Sequence, residues 1–210
     1  GSGLAVAQKD LEIRGAGNLL GGAQSGHIEG VGFDLYIRMV SEAVAAFKGE
    51  KVEDTADVRV ELAVDAHLPE DYVPGERLRI EVYGRIAEVT DAESERELRA
   101  ELVDRYGPIP EEVELLLKIA RLREKLRKRG IRELLTQGNY VRIGPVQLRE
   151  SQAMRLQRLY PGSVIKPAVR QVMVPLTRPG RLGTTPPTDD ELIAWVDRLL
   201  DGALATVTTE

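Results

Sequence analysis

The 210-residue chain has no cysteine. That excludes disulfides, thiolate nucleophiles and cysteine-ligated zinc, and it is the usage of a reducing compartment. Histidine is scarce, and His27 and His67 stand too far apart in sequence to form a local metal-ligand pair. No apolar run approaches the roughly 20 residues a membrane-spanning helix needs, and the chain opens with neither a basic nor an apolar leader segment. No Gly-Lys-Ser or Gly-Lys-Thr occurs, which removes the phosphate-binding loop of nucleoside triphosphatases, and no GxSxG is present for a nucleophilic serine. Neither sign of charge dominates: 29 Lys+Arg against 34 Asp+Glu leave a net charge of -5, so there is no global attraction to nucleic acid or acidic lipid.

What remains is a chain that is 42% hydrophobic, enough for one ordinary core with a smaller appendage. It begins GSG without an initiator methionine, which reads as an appended scar or a cut out of a longer protein. The stretch Asp10 to His27, DLEIRGAGNLLGGAQSGH, holds five glycines. A dinucleotide fingerprint would need GxGxxG, and here Gly15 and Gly17 are followed by Leu20 at the third position, with Gly21 one place late. The glycines are better explained as turn-makers.

From Phe33 to Lys48 the period becomes helical, with Tyr36, Val40, Val44 and Phe47 on one face. A polar run follows, giving a predicted boundary and linker over residues 50–57. Val58 to Val64 alternates as a half-buried strand does. Leu78, Val82 and Ile86 predict a helix. Thr90 and Glu93 form a capping-box pattern before a second helix with Leu98, Leu102 and Tyr106 on one side, ended by Gly107. Pro110 opens a third, with Glu111 and Glu112 in its first turn and Lys128 and Arg129 at its end, as the helix dipole favours. Beyond Ile131 the signals shorten: a hairpin around residues 137–139, a short helix with Ser151 as its cap, two extended pieces in SVIKPAVRQVMVPL, and a last helix after the Thr188 and Glu191 capping pair. Helices and strands segregate, so the predicted class is α+β.

Charge is unevenly placed. Residues 49–130 carry 21 acids and 15 bases, residues 131–185 carry 2 and 9, and the tail from Pro186 carries 6 and 1. Such a basic block could touch nucleic acid, although blocks of this size more often face water or pair internally. Asp65, His67, Glu70 and Asp71 lack any metal-ligand spacing and read as a solvated loop. Glu93, Glu95, Glu97, Glu101 and Asp104 form the wet side of a helix. Glu101 and Asp104, three apart, project from one side, where they could dock an arginine-rich partner.

DLEIRGAGNLLG followed by AQSGHIEGVGFDLY closely resembles the TRG motif of bacterial transcription-repair coupling factors, shared with RecG-type DNA translocases. The likeness continues through VELAVDAHLPEDYVPGERLRIEVYGRIA and ELVDRYGPIPEEVELLLKIARLR, which are similar to the C-terminal domain peculiar to coupling factors, and together these cover about residues 10–126.

The resemblance implies residues 1–49 as a TRG motif and helical hairpin left from a RecA-like lobe, and 58–210 as a C-terminal regulatory domain of helices on a small mixed or antiparallel sheet. In the intact factor, two RecA-like lobes bind ATP and Mg, hydrolyse the ATP and move on double-stranded DNA. They thereby remove stalled RNA polymerase, and the factor recruits UvrA for nucleotide-excision repair in the cytoplasm. Arg14 and Gln24 match the motif positions that couple ATP hydrolysis to translocation. A guanidinium's fixed fork of donors and an amide that both donates and accepts suit a relay of lobe movement.

The resemblance further implies that the C-terminal domain packs on and masks the UvrA-binding module, with Glu101 and Asp104 as its interdomain regulatory contact. Neither RecA-like lobe, polymerase-binding module nor UvrA-binding module lies in this chain. The expectation is therefore a non-catalytic segment with no catalytic residue, cofactor-binding site or metal site of its own and no membrane association. Two rival readings are a free-standing nucleic-acid-binding module using the basic block 132–181, through Arg142, Arg155 and Arg170, and a nucleotide-dependent enzyme using the glycine loop.

Overall fold

A computed structural model describes residues 58–177, 180 and 182–205. The expected TRG segment, its hairpin helix and the linker at 50–57 lie outside the described residues. Those described belong to two compact units, one formed by residues 65–124 and the other by residues 58–64 with 125–205. The structure is α+β, as its segregated sequence signals predict.

The first unit opens with a loop in which Leu68 and Val73 are fully buried. The loop expected to be solvated is therefore partly buried. Two buried side chains hold its backbone: the Leu68 N–H donates to Tyr83 Oη at 2.9 Å, and Arg79 Nη2 donates to the Leu68 carbonyl at 3.0 Å. Both anchors come from α1 (Glu76–Ala87), whose Ile80, Val82 and Ile86 are buried.

Next comes α2 (Ala92–Tyr106), which buries Leu98 and Leu102 one turn apart. Its cap lies one residue beyond the Thr90 and Glu93 pattern. Ser94 N donates to Asp91 Oδ1 at 2.7 Å and Asp91 N donates to Ser94 Oγ at 3.1 Å, so a short hydroxyl completes the box where a glutamate was expected. Gly107 ends α2 at a φ of 91°, a region in which a side chain would be strained. Its carbonyl accepts from Tyr72 Oη at 3.0 Å.

Helix α3 (Glu111–Lys128) buries Val113, Leu116, Leu117, Leu122 and Leu126. Pro110 flanks this helix and does not open it; its carbonyl accepts from Val113 N and Glu114 N at 3.1 and 3.0 Å.

The second unit is built on a five-stranded sheet: β1 (Arg59–Glu61), β2 (Glu133–Gln137), β3 (Tyr140–Gly144), β4 (Val164–Lys166) and β5 (Gln171–Pro175), in the order β1-β2-β3-β5-β4. β1 runs parallel to β2 and the other pairs are antiparallel, so the sheet is mixed. The hairpin between β2 and β3 turns at Gly138, whose φ is 60°. Register places Val60, Leu134, Ile143 and Val172 in one row on one face, with Val141 and Val174 beside them, and all six are buried. The opposite face carries Arg59, Glu133, Arg142 and Met173. The alternation foreseen over Val58 to Val64 persists beyond the three-residue ladder, since Val58, Leu62 and Val64 are also buried.

Helix α4 (Glu150–Leu159) is capped by Arg149, whose N–H donates to Gln152 Oε1 at 2.8 Å; Ser151 sits inside the first turn and is not the cap. Helix α5 (Asp189–Asp201) buries Leu192, Ile193, Val196, Leu199 and Leu200. Thr188 stands at its cap in the extended conformation usual there but makes no side-chain cap bond, and Asp189 follows it at a φ of 50°. Trp195 meets Tyr160 edge-on at 5.8 Å.

Candidate docking surface on helix α2

Helix α2 sorts its carboxylates by face. Glu95 and Arg99 turn towards α3. Arg99 grips Glu114 with two bonds of 2.7 and 2.5 Å and reaches Glu95 at 3.4 Å, while Arg121 reaches Glu95 at 3.3 Å. The Glu114 hydrogen bonds, chiefly, hold the Arg99 guanidinium above its ordinary pKa. These charges tie two helices together and are not available for docking.

Glu93, Glu97, Glu101 and Asp104 succeed one another at steps of four, four and three residues, and so form a stripe along one side of the helix. Within it, Glu101 and Asp104 differ. Glu101 Oε2 pairs with Arg85 of α1 at 2.6 Å, and its Oε1 lies 3.6 Å from Arg105. Asp104 is exposed, and no described residue bonds or pairs with its side chain. Val103 beside it leaves 51% of its surface in solvent.

Beside Glu101 a cavity of about 330 Å³ opens between α1 and α2, with Ile80, Val82, Leu98 and Leu102 in its apolar lining and Arg85, Glu101 and Tyr106 among its other lining residues. Tyr106 is fixed by Arg105, stacked 5.1 Å from its ring centroid, and by Tyr72 at 5.8 Å. Its hydroxyl oxygen is buried with no hydrogen-bond partner. The combination of unneutralised carboxylate, exposed apolar side chain and apolar-lined cavity suits a cationic protein surface.

The structure places Glu101 and Asp104, which the sequence singles out, on helix α2. Sequence reasoning missed Arg85, sixteen residues upstream of Glu101, because no periodicity connects two different helices. Arg14 and Gln24 lie outside the described residues. Asp65 and His67 do meet, at 2.9 Å, yet no group of three or more potential metal ligands forms among the described residues. Of the basic block, Arg142 reaches Glu133 at 3.6 Å and Gln137 at 3.3 Å on the sheet, whereas Arg155 is exposed on α4 and Arg170 after the 3₁₀ turn Pro167–Val169. No helix among the described residues is long and apolar enough to cross a membrane.

In this α+β fold, α2 and its neighbours α1 and α3 present an exposed helix face that carries carboxylates beside an apolar-lined cavity. Residues 62–156 match the TRCF domain family. The chain is 46% identical over 95% of its length to a transcription-repair-coupling factor of Mycobacterium tuberculosis, and 42% identical over 64% of its length to that of Escherichia coli. The chain belongs to the transcription-repair coupling factor family. It spans 17% of the mycobacterial relative and 12% of the Escherichia coli one. A solved structure titled as the C-terminal domain of transcription-repair coupling factor aligns with 69% of this chain and 92% of its own, at a TM-score of 0.49 and 20% identity.

Proposed function

We propose that residues 58–210 are a regulatory domain that masks the UvrA-binding module of the intact factor, with Glu101 and Asp104 on α2 as the acidic half of the contact. The observation that carries this reading is Asp104, a carboxylate left without a partner beside Glu101 on an exposed helix face. On a domain where carboxylates such as Glu95 and Glu114 are spent on neighbouring helices, this one is available to an outside cation. Exposed pairs contribute roughly 0 to 1 kcal/mol each, so a mask built from a few of them holds weakly and releases readily.

On the same reading the segment 1–49 couples ATP hydrolysis to DNA translocation through Arg14 and Gln24. ATP, Mg, double-stranded DNA, RNA polymerase and UvrA are ligands and partners of the intact cytoplasmic protein, and the present chain is a non-catalytic part of it. The chain is to be titrated against the isolated UvrA-binding module of the same organism, beside a Glu101→Lys, Asp104→Lys double variant. Binding by the natural chain that the variant loses supports the mask. Absence of binding, or equal binding by both, removes it.

A further inference from the structure

Glu101 is already occupied. Its closest cation is Arg85 Nη1 at 2.6 Å, and both side chains are partly exposed, 47% for Arg85 and 33% for Glu101. Arg85 also helps to line the cavity between α1 and α2, whose remaining wall includes Leu98, Leu102 and Tyr106. An arginine of a docking protein has an aliphatic stem that suits the leucines and a fork of donors that suits a carboxylate.

We infer that Arg85 is an internal stand-in for the partner's arginine: it holds Glu101 while α2 is undocked, and the partner displaces it on binding. This rests on the masking reading and adds to it a division of labour. Asp104 receives its cation directly, whereas Glu101 exchanges one guanidinium for another, so Arg85 lowers the affinity and keeps the contact reversible. An exchange between two partly exposed ion pairs involves small differences in either direction, which is what a releasable mask requires.

The test uses the whole chain with the isolated UvrA-binding module as probe and calorimetry as readout. Arg85→Gln, which keeps a helix-compatible side chain, is expected to tighten binding by about twofold to fivefold, the scale of one exposed ion pair. Glu101→Gln weakens binding, and adding Arg85→Gln to it brings a smaller gain, because the carboxylate under competition is gone. Arg85→Met, which removes the competing charge but keeps an aliphatic, helix-favouring side chain, is expected to tighten binding likewise, and unchanged affinity there overturns the inference even if the glutamine variant folds poorly. Unchanged or weaker binding by a well-folded Arg85→Gln overturns the inference, as does an equal gain on the Glu101→Gln background, the mark of diffuse charge alone. If the natural chain and all variants fail to bind, the masking reading falls and this inference with it; if the natural chain binds and Arg85 proves indifferent, only the inference falls.

Discussion

Arg99 and Glu114 join α2 to α3 through two parallel hydrogen bonds of 2.7 and 2.5 Å, one from each terminal guanidinium nitrogen to each carboxylate oxygen. This fork geometry fixes orientation as well as distance, which distinguishes it from a simple point-charge pair. Both side chains are about a third exposed, so solvent screens much of the Coulomb energy. A double-mutant cycle with Arg99→Met and Glu114→Gln is expected to give a coupling of about 0.5–1 kcal/mol at low salt and less at high salt. Denaturant unfolding of the four proteins measures it, and a coupling of zero would reduce the pair to a passive surface contact.

Asp91 and Ser94 satisfy one another's backbone N–H groups at the start of α2. Removing either side chain is expected to cost about 0.5–2 kcal/mol of stability. The loss for Asp91→Ala, Ser94→Ala together should fall short of the sum, since either change already dismantles the reciprocal arrangement. Strict additivity in thermal or urea melts would show the two bonds to be independent.

How far this helix was readable from sequence illustrates the general pattern. Leu98, Leu102 and Gly107 set its apolar face and its end, because periodicity and positive φ are local demands. The cap was misplaced by one residue since Thr-x-x-Glu and Asp-x-x-Ser overlap in VTDAESE, and only backbone conformation chooses between them. In the sheet, the hairpin at Gly138 was legible. The parallel pairing of β1 with β2 was not, because it joins segments more than seventy residues apart with three helices between them. The candidate site follows the same rule: the spacing of Glu101 and Asp104 on one helix is a local feature, whereas the Arg85 pair, the placement of Tyr106 and the cavity depend on how α1 meets α2.

Tyr83 gives a test of the buried loop anchor. Its hydroxyl accepts the Leu68 N–H, and burial pushes its pKa up from 10.0 to about 12. Tyr83→Phe leaves that N–H buried without an acceptor, at an expected cost of about 1–3 kcal/mol at neutral pH. The neutral phenol is the form that folding favours, so its contribution is complete below pH 10.0 and is lost as pH rises towards about 12. The natural chain should therefore lose stability across that alkaline interval more steeply than Tyr83→Phe does, as thermal melts at stepped pH will show. Parallel alkaline slopes would mean that the phenol ionises equally well in the folded state.

At the other extreme of pH, Asp201 closes α5 onto the end of α3, with Lys125 at 2.7 Å and Arg129 at 3.0 Å. The hydrogen bond from Lys125, chiefly, lowers its pKa below the ordinary 3.8. Because folding favours the ionised carboxylate, the contribution is fully present above 3.8 and disappears as pH falls through the depressed folded value. Asp201→Asn should accordingly be less stable than the natural chain at neutral pH, and the two should converge in acid. The carboxylate is largely solvated, so added salt should narrow the neutral-pH gap as well. A gap that persists unchanged into strong acid would assign the effect to lost packing or altered helix ending at Gly202, and not to the charge on Asp201.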